Sequence, residues 1–169
     1  MFPRVREAQT ETKSSRRLVC FELGAHEVGA DIAEVRETIG LRPITPVFHT
    51  PSVVAGLINL RGEILVVLDV GALLGGQPSR RDPRCRIVVV DVEENGQTRS
   101  AGLLVDGLGP IRETGDYVIA PPPATMPEDE RVYLEGIVSL PSHPLAVLDL
   151  ERVFAAPELV PFTSQELDR

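Results

Sequence analysis

Two segments of this chain, 80 residues apart, carry the same pattern of aliphatic and polar side chains. Residues 56–70 read GLINLRGEILVVLDV and residues 136–150 read GIVSLPSHPLAVLDL, and six of the fifteen ungapped pairs are identical. A similarity at fixed spacing indicates that one supersecondary unit occurs twice. Upstream, a hairpin pattern at 18–32 followed by Arg-Glu-Thr recurs at 87–105 before a second Arg-Glu-Thr. The sequence therefore predicts two copies of one β-unit.

The apolar segments of both copies are short and are separated by turn residues. Runs of four to eight residues rich in Val, Ile and Leu have the length of strands rather than of helices. The chain has 14 glycines and 15 prolines to form turns, and Asn95-Gly96 is a strong hairpin signal. Asp69 and Asp149 occupy equivalent positions before short apolar turns, which favours helix N-caps over a pair of catalytic carboxylates.

Each copy supplies about five strands, and a set of this size buries its alternate residues best by curling into a small barrel. The predicted fold is therefore all-β, with two small barrels packed together, each expected to be built from one copy, and with short helices. Residues 16–157 are predicted to form this domain. Residues 1–15 and 158–169 are polar and charged, so a disordered N-terminal tail and a C-terminal tail are expected.

Charge and cysteine usage exclude several classes of partner. With 25 Asp and Glu against 17 Lys and Arg, the formal net charge is −8, which disfavours generic binding to nucleic acid or to anionic lipid. No apolar run approaches the roughly 20 residues that span a bilayer, and no secretion signal is present. Cys20 and Cys85 lie in or beside apolar runs without metal-ligand spacing, so buried free thiols in a cytoplasmic protein are predicted.

No catalytic or metal constellation can be assembled from the spacing. His26, His49 and His143 lie in three separate turns or loops, where solvated side chains are favoured over ligands, and no nucleophile–base pair or phosphate-binding loop is evident. The predictions are therefore no enzyme, no metal and no cofactor. The basic stretch 80–86 is interpreted as a solvated loop, with docking on an acidic partner as the alternative. The proline-rich stretch 120–127 fits a stiff connection and a docking peptide equally well.

The two copies differ most in their second turns. The first copy has Asn-Leu-Arg-Gly-Glu at 59–63, which is charged and flexible, whereas the second has Ser-Leu-Pro-Ser-His-Pro at 139–144, which is rigid. A duplicated scaffold that carries an arginine on only one of two equivalent turns suggests that Arg61 is used in recognition. An exposed arginine without a function is the alternative.

Several motifs together carry a family resemblance. They are FELG at 21–24, VGADI at 28–32, VRE at 35–37, TP at 50–51, GLINLRGEILVVLDV at 56–70, VDGL at 105–108 and LDL at 148–150. From about residue 16 to residue 157 the chain resembles the CheW family of chemotaxis coupling proteins, and Gly-x-x-Asn-Leu-Arg-Gly is the most specific part. The proline-rich approach at 46–51, the Pro-Ser-His-Pro turn and the N-terminal extension are not distinctive of that family.

The resemblance implies two five-stranded SH3-like barrels around a shared core, and a cytoplasmic, non-enzymatic adaptor at receptor arrays. Its partners would be the cytoplasmic tips of methyl-accepting chemoreceptors and the regulatory domain of a CheA-type histidine kinase. Glu37 and Arg61 match an acidic and a basic position of the family and would pair near a receptor-binding groove. Val35, Gly56 and Leu108 match its apolar lining, and periodicity adds Ile32 and Ile111.

Two other functions remain open at this stage. One is a CheW-like regulatory module that binds another kinase, or a motility or cytoskeletal component, outside classical chemotaxis. The other is a small enzyme or ligand-binding barrel, which a cofactor bound to the purified protein would support.

Overall fold

The computed structural model describes residues 15–156 and Leu159, and its elements are almost all β-strands. The strands are β1 (Arg17–Leu23), β2 (His26–Asp31), β3 (Val35–Gly40), β4 (Val54–Leu60), β5 (Glu63–Asp69), β6 (Arg86–Glu94), β7 (Gln97–Val105), β8 (Gly107–Glu113), β9 (Ile119–Ala120), β10 (Leu134–Ser139) and β11 (Pro144–Leu148). The helices are α1 (Val70–Leu73), α2 (Glu128–Arg131) and α3 (Leu150–Phe154), with a 3₁₀ turn at Ile32–Glu34. The predicted all-β class with short helices is confirmed.

The strands form two sheets that exchange hairpins between the copies. One sheet has the order β8-β1-β2-β11-β10-β9, and the other has the order β3-β6-β7-β5-β4. The β1–β2 hairpin of the first copy thus pairs with strands of the second copy, and the β6–β7 hairpin of the second copy pairs with strands of the first. Apart from the two-residue β9, the two sheets have the same arrangement of corresponding strands.

The expectation that each copy closes its own barrel is therefore wrong. After β2 the 3₁₀ turn, capped by the Asp31 carboxylate on the Ala33 N–H at 2.9 Å, leads directly into β3 of the other sheet. After β7 only Asp106 intervenes before β8 begins in the opposite sheet. The β1–β2 and β6–β7 hairpins have equivalent edges, so the repeat alone does not determine whether a hairpin pairs with strands of its own copy or of the other copy. The short bends after β2 and β7 determine this.

Three apolar clusters fill the part of the chain that the structure describes. One lies between the sheets and takes residues from both, among them Phe21, Val66, Val90 and Phe154, all at most 1% exposed. The other two lie on the opposite face of each sheet, around Ile87 in one and Leu145 in the other. A sheet that is apolar on both faces must be covered on both, which explains why each sheet curls over its own cluster and still packs on the other sheet.

The predicted helix caps are present in both copies. Asp69 Oδ1 accepts the Ala72 N–H at 3.0 Å, and Asp149 Oδ1 accepts the Arg152 N–H at 3.1 Å. Asp69 is buried, and its second oxygen accepts the Ser79 N–H at 2.8 Å, so the same side chain also fixes the following loop. The two aspartates are thus structural, and each begins the helix that closes its copy.

Gly56 and Gly136 also have one structural role in two places. Each follows a β-bulge in the first strand of its hairpin. A Cβ on Gly56 would lie 2.2 Å from the Thr45 carbonyl oxygen, and one on Gly136 would lie 2.3 Å from that of Ala120. Gly56 also has φ +143°, which a side chain disfavours. Both glycines are needed because another stretch of backbone pairs closely alongside the strand at that point.

Cys20 and Cys85 are buried free thiols, as predicted, and burial is the main cause that raises the pKa of Cys20 to about 12. The predicted tails lie largely outside the described residues, and Leu159 is buried in the core between the sheets. Among the described residues there is no helix long and apolar enough to cross a membrane.

Gly136→Ala tests the close approach of the backbone at the second bulge. The added methyl meets a backbone oxygen that has no rotamer to change, so we expect a loss of about 1–3 kcal/mol in the free energy of unfolding, measured by urea denaturation. Gly40→Ala is the matched control, because a Cβ at Gly40 in β3 meets nothing within 4 Å. Equal effects of the two substitutions would contradict the assignment.

Candidate functional site

The β4–β5 turn holds Arg61 in a conformation that does not favour arginine. Leu60 pairs with Glu63, and the two residues between them, Arg61 and Gly62, have φ of +51° and +87°. Positive φ at both positions defines the hairpin turn in which Asn or Asp before Gly is preferred. The Asn59 side chain supports the turn by accepting the Gly62 N–H at 2.8 Å. The turn is thus well defined, and local backbone preference does not explain the arginine.

Arg61 contacts Glu37 of β3, so the predicted ion pair is present. The Arg61 side chain is 71% exposed and the Glu37 side chain is 26% exposed. β3 and β4 are the first and last strands of their sheet, and this contact therefore joins opposite edges of a curled sheet. A pair as exposed as this contributes about 0–1 kcal/mol, so its main effect is to orient the guanidinium.

A second ion-pair network lies beside it and was not predicted from the sequence. Arg36 contacts Asp91 Oδ1 at 2.7 Å, Glu63 Oε2 at 2.8 Å and Ser100 Oγ at 2.7 Å. Hydrogen bonds to Asp91 and then to Glu63 raise the pKa of Arg36. Burial opposes ionisation of Asp91, but hydrogen bonds from Arg36 and Ser100 outweigh it and lower the pKa of that carboxyl. Arg36 and Glu37, neighbours on β3, thus hold both ends of the Arg61-Gly62-Glu63 turn.

In the second copy, side-chain contacts hold the corresponding turn to the rest of the fold. Arg112 of β8 donates to Glu27 at 2.7 and 3.1 Å, and Glu27 also contacts His143 Nε2 in the β10–β11 turn. These hydrogen bonds, that from Arg112 foremost, lower the pKa of Glu27. Ser142 Oγ lies 2.7 Å from His143 Nδ1. The side chain of His143 is 34% exposed, so the expectation of a freely solvated histidine is wrong for this residue.

This chain of serine, histidine and glutamate was also not expected, since no nucleophile–base pair was found in the sequence. Ser142 and His143 are neighbours in one turn, so their contact is local. Glu27 is already neutralised by Arg112 through two hydrogen bonds. The arrangement fixes the imidazole ring and the turn, and Arg61 is more exposed than either Glu63 or His143 in the two corresponding turns. Within the described part of the chain, no group of three or more His, Cys, Asp or Glu residues is arranged to hold a metal ion.

The remaining predicted groove residues lie on three elements. Ile32 begins the 3₁₀ turn, and Val35 on β3 is half-buried against the core between the sheets. Leu108 and Ile111 lie on β8, at 42% and 60% exposure. β3 and β8 are corresponding edge strands of the two sheets. The candidate residues on them therefore lie close in sequence to the two bends at which the chain passes from one sheet to the other. Among the described hydrogen bonds and ion pairs, two pairs of predicted site residues are in direct contact: the side chains of Glu37 and Arg61 form the ion pair, and the Val35 N–H donates to the Ile32 carbonyl oxygen.

Gly56 differs from the other candidates because it is buried. The space a side chain would need is filled by Thr45 and Ile44, so Gly56 presents no surface of its own. Its effect on the site comes through β4, which it allows to lie against the preceding loop.

Comparisons with known proteins agree with this architecture. A family model described as "CheW-like domain" matches residues 17–158. A chemotaxis protein CheW of Rhizobium meliloti is 34% identical over 147 residues, which is 87% of this chain and 92% of that protein. A probable chemotaxis protein CheW of Rhizobium etli is 33% identical over 146 residues, which is 86% of this chain and 92% of that protein. The crystal structure of scaffolding protein TtCheW from Thermoanaerobacter tengcongensis superposes with a TM-score of 0.72 at 27% identity, covering 86% of this chain and 96% of that chain.

Glu27→Gln tests whether the second turn depends on the charge of Glu27. A folded-state pKa below the unfolded value of about 4.5 means that the carboxylate stabilises the fold above that pH. We expect the variant to lose about 1–2 kcal/mol in the free energy of unfolding at neutral pH. The difference from the parent chain should shrink as the pH falls through the folded-state pKa. Urea denaturation at several pH values measures this, and a pH-independent difference would contradict it.

Proposed function

The chain belongs to the CheW-like domain family, and on that premise we propose that it is a non-enzymatic adaptor in chemotaxis signal transduction. It couples the cytoplasmic tips of methyl-accepting chemoreceptors to the regulatory domain of a CheA-type histidine kinase. It works in the cytoplasm at receptor arrays, inserts no segment into the membrane and binds no nucleic acid.

The observation that carries this proposal is the exposed Arg61 on its left-handed turn, oriented by Glu37 and present in one copy only. Residues in unfavourable backbone conformations persist where the surrounding structure holds them, and such residues concentrate at functional sites. Arg36 and Asn59 hold this turn in place without using the Arg61 guanidinium. Arg61 is thereby a fixed charge at a surface, which suits recognition of a partner.

The apolar candidate residues suit a helical partner. Val35, Ile32, Leu108 and Ile111 lie on β3, the 3₁₀ turn and β8, and Leu108 and Ile111 are exposed large hydrophobic residues. An amphipathic helix docks by placing an apolar stripe into such a surface, while charged groups at the rim set its orientation. The receptor tip, a helical hairpin, supplies such a stripe. We assign these four residues to the apolar lining and the pair of Glu37 and Arg61 to the rim, while Gly56 shapes β4 from within.

Arg61→Ala should weaken binding of a receptor cytoplasmic fragment about tenfold, because the oriented charge at the rim is lost. Isothermal titration calorimetry with the purified fragment measures the change. Arg131→Ala is the matched control, since Arg131 lies on α2 and no described carboxylate comes within salt-bridge distance of it. Equal binding by the two variants, with unchanged melting curves, would contradict a role for Arg61.

Ile111→Asp tests the apolar lining against a control of equal exposure. Ile111 and Val118 are both 60% exposed, so neither substitution buries a charge in the core. We expect Ile111→Asp to abolish measurable binding of the receptor fragment and Val118→Asp to leave it within about twofold. If the folded parent chain binds neither the receptor fragment nor the regulatory domain of a CheA-type kinase, the coupling function is wrong. A regulatory role outside chemotaxis would then take its place.

A further inference from the structure

A group of five arginines has no carboxylate partner in the described part of the chain, and two of its members contact the outer edge of β4. They are Arg42, in the loop between β3 and β4, and Arg80, Arg81, Arg84 and Arg86, in the stretch that leads into β6; we call this group the arginine edge. Within residues 15–156 and Leu159, no Asp or Glu comes within 4.0 Å of them. Six other arginines of the described chain do form ion pairs: Arg16, Arg36, Arg61, Arg99, Arg112 and Arg152.

Two of these arginines contact backbone carbonyl oxygens of β4. Arg81 Nη2 lies 3.4 Å from the Ala55 carbonyl oxygen, and Arg42 Nη1 lies 3.3 Å from that of Asn59, near the other end of β4. Between them Thr45 and Leu57 exchange two hydrogen bonds of 2.8 Å. Ala55 and Asn59 are four residues apart, about 13 Å along a strand. The outer edge of β4 is therefore covered by the loop and by two guanidinium groups, which blocks pairing with another strand.

Arg86 lies where β3 ends and β6 begins. Arg86 is opposite Gly40 of β3, two residues before Arg42. Its guanidinium donates to three carbonyls of its own loop at 2.9–3.1 Å. The one carboxylate in this stretch, Asp82, accepts the Arg84 N–H at 2.8 Å and so serves the loop itself. Arg80, Arg81 and Arg84 are exposed.

The loop that carries Arg42 also carries an exposed aromatic side chain. Phe48 is 88% exposed, the largest value among the exposed large hydrophobic residues of the described chain. It belongs to the loop that covers β4, three residues after Thr45. One hydrogen bond spans Phe48, from Thr50 Oγ1 to the Val47 carbonyl, and a second follows it in the chain, from the Val54 N–H to the Pro51 carbonyl, both at 2.9 Å. Arginine together with an aromatic anchor is the composition enriched at protein interfaces.

We propose that the arginine edge and Phe48 dock an acidic segment of a partner protein that also carries an apolar side chain. Charge complementarity selects the partner, because five arginines without carboxylate partners among the described residues, three of them exposed, form a local positive surface on a chain of net charge −8. A guanidinium group can donate two parallel hydrogen bonds to the two oxygens of one carboxylate. An anionic membrane is less suited, since the acidic remainder of the chain would also be brought to its surface. This goes beyond the coupling function, whose surface lies around Arg61, β3 and β8.

The test measures binding of a fluorescein-labelled peptide of repeated glutamates with a central leucine, by fluorescence anisotropy. We expect binding that weakens with added salt, and no binding of the same peptide with Gln in place of Glu. The double substitution Arg80→Glu, Arg84→Glu should raise the Kd for the peptide about tenfold or more and should reduce the dependence of the Kd on salt concentration. These two are chosen because their guanidinium groups make no described hydrogen bond to the fold.

Two controls separate the local surface from net charge and from folding. Arg17→Glu with Arg131→Glu changes the net charge equally, and neither residue has a described carboxylate partner, so peptide binding should stay within about twofold. Phe48→Ala should weaken binding but keep the salt dependence. Equal loss in both double variants, or no binding of the glutamate peptide by the parent chain, would overturn the proposal.

Other occupants give different results. Vesicles of phosphatidylglycerol and phosphatidylcholine test for a membrane. If they bind the parent chain but not the Arg80→Glu, Arg84→Glu variant, and the parent chain does not bind the peptide, the surface is a membrane-binding site and the proposal is overturned. Self-association in sedimentation velocity that this variant abolishes would assign it to a second copy, also overturning it. Receptor-fragment binding by the same variant should be unchanged, so failure here is distinguishable from failure of the coupling function.

Discussion

The apolar layer between the two sheets is the constraint on which the rest of the structure depends. Val88 and Val90 face this layer from β6, while Ile87 and Val89 on the same strand face the interior of their own barrel, and all four are fully buried. Such a strand cannot lie at a surface, because about 25 cal/mol is lost for each Å² of apolar area returned to water. Each hairpin must therefore be covered twice, and a single five-stranded unit cannot do this alone.

This requirement explains which parts of the fold could be predicted from the sequence. The repeat, the strand-length apolar runs and the two Asp caps depend on local pattern, and each of them was correctly interpreted. The exchange of hairpins depends on which of two equivalent edges a strand meets. Leu57 and Ile137 have nearly the same neighbours in the chain, so nothing local distinguishes one partner from the other. The short bends at Asp31 and Asp106 decide the matter, and their direction is a tertiary property.

The candidate site divides in the same way. The pairing of Glu37 with Arg61 was expected from the residues that resemble the family, and the side chains do meet. The network of Arg36 with Asp91 was not expected, since β3 and β6 are far apart in sequence and become neighbours only through the exchange. His143 likewise needed the structure, because its partner Glu27 lies 116 positions away in the first copy. Charged residues on adjacent strands carry no periodic signal that would reveal such partners.

Duplication leaves two similar turns, and the structure indicates how they diverged. In the second copy the turn residue His143 contacts Glu27, and Arg112 also donates to Glu27. The polar and charged groups at this turn are therefore paired with one another. In the first copy Arg36 forms ion pairs with Glu63 and Asp91. Glu37 forms an ion pair with Arg61, whose side chain is largely exposed to solvent. The two turns keep the same scaffold because Gly56 and Gly136 preserve the same close backbone approach beneath them. A difference of a few charged residues above a similar backbone therefore holds the His143 turn through its side chains and leaves the Arg61 side chain of the other turn largely in solvent.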